Sequence, residues 1–179
     1  KFSDTEASEI GNVFRKFQAL RRLHLYGSDQ SSEFVHALLP SIPSIRELWI
    51  SAIDLTSEAA KAFGKCTDLE KLYLYGSTLS LEIITELTSN LHSIKELRVK
   101  IEEIDVQAAN LFKKCNLGVL SISGHLRPGF FECFLSPPLP NTLLSLYVTK
   151  TNEDEHPSDS DMQAIMVAVD DDIEVEILG

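Results

Sequence analysis

With 179 residues, 44% of them hydrophobic, the chain carries enough apolar side chain for one well-filled domain, which excludes a disordered polypeptide. No apolar run approaches the roughly 18 residues that cross a bilayer, and the polar opening stretch, residues 1–10, lacks the apolar region of a secretion signal, so a soluble cytoplasmic chain with no membrane partner is expected. The formal charge of −11 is local: ten of the 27 acids lie in residues 151–179, which hold no Lys or Arg, and the remaining 17 acids nearly balance all 16 bases, leaving no electrostatic case for nucleic acid.

In chain order, Ile10, Val13, Phe14 and Phe17 have the spacing of a one-faced helix, and the phrase L-x-x-L-x-L follows as Leu20-Leu23-Leu25. Phe34, Val35, Leu38 and Leu39 predict the next helix, ahead of Ile45-Leu48-Ile50. Thr56, a capping residue before Ser57-Glu58-Ala59-Ala60, marks a third helix start, ahead of Leu69-Leu72-Leu74. Ile83, Ile84, Leu87 and Leu91 precede Ile94-Leu97-Val99, and Asp105 caps Val106-Gln107-Ala108-Ala109 before Leu117-Leu120-Ile122. Residues 127–134 leave room for a short helix only. Pro128 suits its first turn, and Ser136-Pro137-Pro138-Leu139-Pro140 favours an extended connection to Leu143-Leu146-Val148. A polar loop over 151–159 leads to Asp161, Met162, Ile165, Met166 and Val169 at helical spacing, then to Ile173, Val175 and Ile177 alternating with Glu174 and Glu176, a final strand.

The six copies of L-x-x-L-x-L start 25, 24, 25, 23 and 26 residues apart, a regularity that identifies a repeat. In each copy the second and third apolar residues point to one side of a short strand and their neighbours to the other. One such strand cannot bury its apolar edge alone, so the copies are expected to stack in parallel. The predicted fold is therefore α/β: a leucine-rich repeat solenoid, or horseshoe, with a parallel β-sheet on the concave face and helices on the convex face. Residues 1–179 form one such domain. Because the chain opens at Lys1 with helix-like text already under way, a fragment of a longer protein is expected, with residues 151–179 as its acidic C-terminal capping repeat.

Lys65-Cys66-Thr67-Asp68-Leu69-Glu70-Lys71-Leu72-Tyr73-Leu74 and Lys114-Cys115-Asn116-Leu117-Gly118-Val119-Leu120 resemble the helix-to-strand junctions of ribonuclease-inhibitor-like leucine-rich repeats, the repeats of the C-terminal sensor region of animal NOD-like receptors. The position that carries an Asn ladder in that family holds Ser28, Ile53, Ser77, Glu102, His125 and Thr151 here. The resemblance implies a cytosolic sensor or autoinhibitory module of innate immunity that engages a protein partner or other domains of its own chain. The alternative is the substrate-recognition region of an F-box-type ubiquitin ligase adaptor.

Read as a column, the residue between the last two apolar positions runs His24, Trp49, Tyr73, Arg98, Ser121, Tyr147, with Tyr26 and Tyr75 two residues on. Parallel stacking sets such residues about 4.8 Å apart. Trp, Tyr and Arg dominate protein interfaces because they bury much area and keep a polar tip, so His24, Tyr26, Trp49, Tyr73, Tyr75, Arg98 and Tyr147 are the candidate partner-binding residues. The competing reading is that the rings merely stabilise the sheet by packing on one another. A second column, Arg22, Glu47, Lys71, Glu96, alternates in sign and is expected to fix register through exposed ion pairs. The paired Gly27-Ser28 and Gly76-Ser77 are expected to turn the chain at the ends of equivalent strands.

The sequence predicts no catalytic residue, cofactor or metal. Cys66, Cys115 and Cys133 show neither pairing nor zinc spacing and point to a reducing compartment, and the five histidines fall in different repeats. There is no nucleophile elbow and no Gly-rich phosphate loop. Glu102-Glu103 and Glu153-Asp154-Glu155 read as solvated charge.

Overall fold

The structure, a computed structural model, describes residues 4–17, 19–137, 142–151 and 156–178. The side chains of residues 4, 5, 7, 8 and 26–28 lie outside the description, as do Pro138, Leu139 and Pro140 of the expected extended connection and Glu153, Asp154 and Glu155 of the acidic loop.

Helices and strands alternate: α1 (Asp4–Phe14), β1 (Arg22–Gln30), α2 (Ser32–Leu38), β2 (Glu47–Ala52), α3 (Ser57–Ala62), β3 (Lys71–Leu79), α4 (Leu81–Asn90), β4 (Glu96–Ile104), α5 (Val106–Phe112), β5 (Val119–Leu126), α6 (Phe130–Phe134), β6 (Ser145–Lys150), α7 (Asp159–Asp170) and β7 (Glu174–Leu178). Among the described residues the strands form one seven-stranded sheet in chain order, every pairing parallel. No helix among them is long and apolar enough to cross a membrane.

The repeated apolar phrase sets the register. Leu23, Leu48, Leu72, Leu97, Leu120, Leu146 and Val175 lie side by side across all six ladders. Leu25, Ile50 and Leu74 form a second row, continued on the later strands by Val99, Ile122, Val148 and Ile177. A one-residue slip would turn these rows to the other face, so burying them selects one pairing. They join the inward residues of the helices in one core, in which Phe34, Phe63, Phe112, Phe130, Phe131 and Phe134 are fully enclosed.

Helix starts follow the predicted caps. Thr56 accepts the Ala59 N–H at 3.4 Å and Asp105 accepts the Ala108 N–H at 2.9 Å. The Ser32 and Thr56 hydroxyls lie 2.8 Å apart, and Ser32 also accepts the Thr56 N–H, tying the start of α2 to the start of α3. At the position of the Asn ladder, Ser77 donates its hydroxyl to the Ala52 carbonyl at 2.5 Å, while backbone N–H groups of Ile53 and Thr151 donate to Gln30 and Gly124.

Four expectations are corrected. Val13 and Phe17 are 51% and 56% exposed, because α1 meets α2 through Ile10, Gly11 and Phe14 and ends before Phe17. Pro128 lies ahead of α6, whose N-cap is Gly129 at φ +86°, a left-handed conformation open to glycine and unavailable to proline. Gly76, also at φ +86°, does not end β3. It sits in an irregular stretch between Tyr73 and Thr78, and the strand continues to Leu79. In α7 the buried face carries Asp161 and Ala168, while Met162, Met166 and Val169 are exposed.

The cause of that last inversion is hydrogen bonding. The Asp161 carboxylate accepts the Gly129 N–H at 2.8 Å and the Glu132 N–H at 2.9 Å, both at the start of α6, and the Ser158 N–H and hydroxyl at 3.1 and 2.7 Å. One carboxylate thereby satisfies the otherwise unpaired N-terminal donors of two successive helices. Burial pushes the Asp161 pKa up, but the Ser158 hydroxyl and the backbone donors of Glu132, Gly129 and Ser158 outweigh it and leave the pKa below the usual carboxylate range.

The open face of the sheet

Alternation along each strand sends the residues between the apolar rows to the side away from the helices. His24 pairs with Trp49, Trp49 with Tyr73, Tyr73 with Arg98, Arg98 with Ser121 and Ser121 with Tyr147, so the predicted column is a continuous row, extended by Glu176. The Trp49 ring lies 5.0 Å from His24, 4.1 Å from Tyr73 and 6.2 Å from Tyr75 between centroids. The Arg98 guanidinium sits 5.0 Å from the centre of the Tyr73 ring. Such contacts each contribute roughly 0.5–1.5 kcal/mol beyond the area they bury.

Five candidates are thus brought together: His24, Trp49, Tyr73, Tyr75 and Arg98. Tyr147 is not. Ser121 separates it from Arg98, and its hydroxyl donates to Glu174 at 2.6 Å. Tyr26 belongs to β1, but its side chain lies outside the description. Tyr73, although central, is only 4% exposed, because Trp49 and Arg98 cover it. For this one ring the packing role holds, and the surface open to a partner belongs to His24, Trp49, Tyr75 and Arg98, with Tyr75 42% exposed.

Two glutamates that the sequence placed in a merely register-setting column organise the row. Glu47 Oε1 accepts from Trp49 Nε1 at 2.9 Å and lies 3.0 Å from His24 Nε2, while its second oxygen lies 3.3 Å from Arg22. Glu96 receives Lys71 at 2.9 Å, Arg98 at 3.0 and 3.2 Å, and the Tyr73 hydroxyl. The expectation of exposed pairs fails at Glu96, which is 8% exposed. Burial pushes its pKa up, but donation from Tyr73, Lys71 and Arg98 outweighs this and holds the carboxyl below the usual range. The Tyr73 phenol is raised in turn, first by burial and then by its bond to Glu96. The signal was present in the sequence as Glu47-x-Trp49 and Glu96-x-Arg98, where residues two apart on a strand share a face.

The cysteines take no part in the open face. Cys66 is buried, with its sulfur 3.6 Å from the Leu39 carbonyl and 3.7 Å from that of Ile42, and burial pushes its thiol up to about 12. Burial raises Cys115 to about 11, and both stay as inert thiols at neutral pH. The open face therefore presents rings, hydroxyl groups, the cations Arg22, Lys71, Arg98 and Lys100, and the carboxylates Glu47 and Glu96.

No family model matches the chain, and none of the curated proteins does.

Proposed function

We propose that this chain is a non-catalytic leucine-rich repeat solenoid, similar to the sensor or autoinhibitory region of a cytosolic NOD-like innate immune receptor. On this reading its open sheet face is the concave surface that binds a protein partner or another domain of the same protein. Support comes from the parallel sheet in chain order, whose rows follow the L-x-x-L-x-L phrase. The observation that carries the proposal is the surface of His24, Trp49, Tyr75 and Arg98, fixed from beneath by Glu47 and Glu96. Rings and a guanidinium already ordered lose little side-chain entropy on docking, which favours their use as anchors.

The test selects peptides from a random library on the immobilised chain and measures their affinity for Trp49→Ala, Tyr75→Ala and, on the helical side, Asn110→Ala. Loss of about tenfold or more in the first two, with Asn110→Ala unchanged, is the expected result. Tyr75→Ala is the decisive variant because the exposed ring can be removed without a large shift in melting temperature. Selected peptides that bind Trp49→Ala and Tyr75→Ala as tightly as the parent overturn the proposal.

A further inference from the structure

Beyond Arg98 the open face changes character. Ser121 and Ser123 on β5 and Thr149 on β6 are small, so the surface drops into a recess of about 310 Å3 with Tyr75 as one wall and Arg98 and Lys100 along another. Among the described residues no carboxylate lines this recess, although the chain carries 27 acids. Lys100 is exposed and makes no side-chain hydrogen bond or ion pair among the described residues, and the same holds for the hydroxyls of Ser121, Ser123 and Thr149. Arg98 engages Glu96 through Nε and one terminal nitrogen. The recess thus gathers Lys100, Arg98 with its guanidinium held by Glu96, and three hydroxyl donors, and no carboxylate of a described residue is among its lining.

We infer that this recess is the docking site for an acidic, extended segment of a protein partner, with Asp or Glu carboxylates seated on Arg98 and Lys100. The inference rests on the open-face reading above and names the chemistry of the partner. Arg98 and Lys100 are two residues apart on one face of β4, a spacing of about 6.6 Å, which matches successive same-side residues of an extended peptide. A single phosphate would instead need donors converging on one point. Ser121 and Ser123 lie opposite Arg98 and Lys100 on the neighbouring strand and repeat the spacing. The site has a boundary as well. On the far side of Lys100 a second hollow of about 460 Å3 is lined by Lys100, Glu102 and Glu103; Arg127 pairs with Glu103, so Glu102 is the carboxylate there that disfavours an anion.

The experiment titrates the isotopically labelled chain with two short peptides, one of alternating Glu and Ser and one with Gln in place of Glu, and follows backbone amide signals. The Glu peptide is expected to move the signals of Lys100, Ser121, Ser123 and Thr149 to saturation, more weakly at high salt, while the Gln peptide leaves them in place. Lys100→Glu, at an exposed position with no side-chain hydrogen bond or ion pair among the described residues to lose, should keep the parent melting temperature and weaken the Glu peptide by about tenfold or more. Shifts confined to other strands, or equal binding to Lys100→Glu, overturn the inference. Inorganic phosphate moving these signals when the Glu peptide does not overturns the assignment to a carboxylate. Library-selected peptides that need Trp49 and Tyr75 but ignore Lys100→Glu would sink the acidic site alone, whereas selected peptides insensitive to all three changes would sink the open-face reading.

Discussion

Across β2, β3 and β4 neighbouring strands are tied on the open side, where Trp49, Tyr73 and Arg98 stack and Glu47 and Glu96 collect their polar ends. Across β5, β6 and β7 the same row thins to Ser121, Tyr147 and Glu176, and the tie moves to the helical side, where the buried Asp161 joins α7 to α6. The difference teaches how one repeated strand can serve two ends. Where the open face carries large side chains, it stabilises the sheet. Where it is left small, a buried carboxylate holds the helices and the open face is free to form a recess.

The strongest way to break this comparison is Asp161→Ala. It removes a fully buried carboxylate that accepts from the part-buried N–H groups of Gly129 and Glu132 and from Ser158, and should cost about 3 kcal/mol. Thermal unfolding should then fall by roughly 10 °C for a chain of this size. A melting temperature within two or three degrees of the parent (roughly 1 kcal/mol) would show that α6 and α7 hold together by apolar contact alone. Ser158→Ala, which removes one of the four donors, should cost about 1 kcal/mol.

Acid sharpens the same point. Asp161 and Glu96 both have folded pKa values below their unfolded ones, so the unfolded chain binds protons first. Their contribution is fully present above the unfolded values, about 4 for these side chains, and is lost as the pH falls from there toward the folded values. The melting temperature should decline between about pH 5 and pH 3, and Asp161→Asn should decline less steeply, having no carboxylate to titrate. Equal slopes for the two proteins would assign the acid sensitivity elsewhere.

On the open face, Trp49→Ala removes stacking on Tyr73 and His24 and the indole N–H donation to Glu47, at a cost of about 2 kcal/mol. The chain has one tryptophan, so denaturant unfolding of this variant is followed by circular dichroism. The parent's Trp49 emission, by contrast, reports directly on the open face.

Much of this was legible in the residues. The spacing of L-x-x-L-x-L fixes which side chains point inward, because alternation and burial leave one register, and the row from His24 to Tyr147 follows from the same arithmetic. Thr56 and Asp105 announce helix starts through their side-chain oxygens. Asp161 was not legible, because its partners Gly129 and Glu132 lie about thirty residues away and no local pattern links them. Apolar periodicity in α7 instead pointed to Met162, Met166 and Val169, which the demands of the carboxylate turn outward. The burial of Tyr73 was hidden as well, since exposure in a row depends on the size of both neighbours.

The smallest effects compare one deletion at the two ends. Tyr73→Phe and Tyr147→Phe each remove a hydroxyl that donates to a glutamate one strand away, Glu96 and Glu174 respectively. At Tyr73 the acceptor is buried, and Lys71 and Arg98 remain to satisfy it, so the loss should be near 1 kcal/mol, the ordinary worth of an enclosed hydrogen bond. At Tyr147 the Glu174 carboxylate is exposed and water replaces the phenol, so the variant should melt with the parent. Measured side by side, a destabilised Tyr73→Phe and a silent Tyr147→Phe place the stabilising part of the row on β3 and β4. Equal losses would mean that the row stabilises the sheet along its whole length, and that the thinning at Ser121 does not divide the open face into a braced half and a free one.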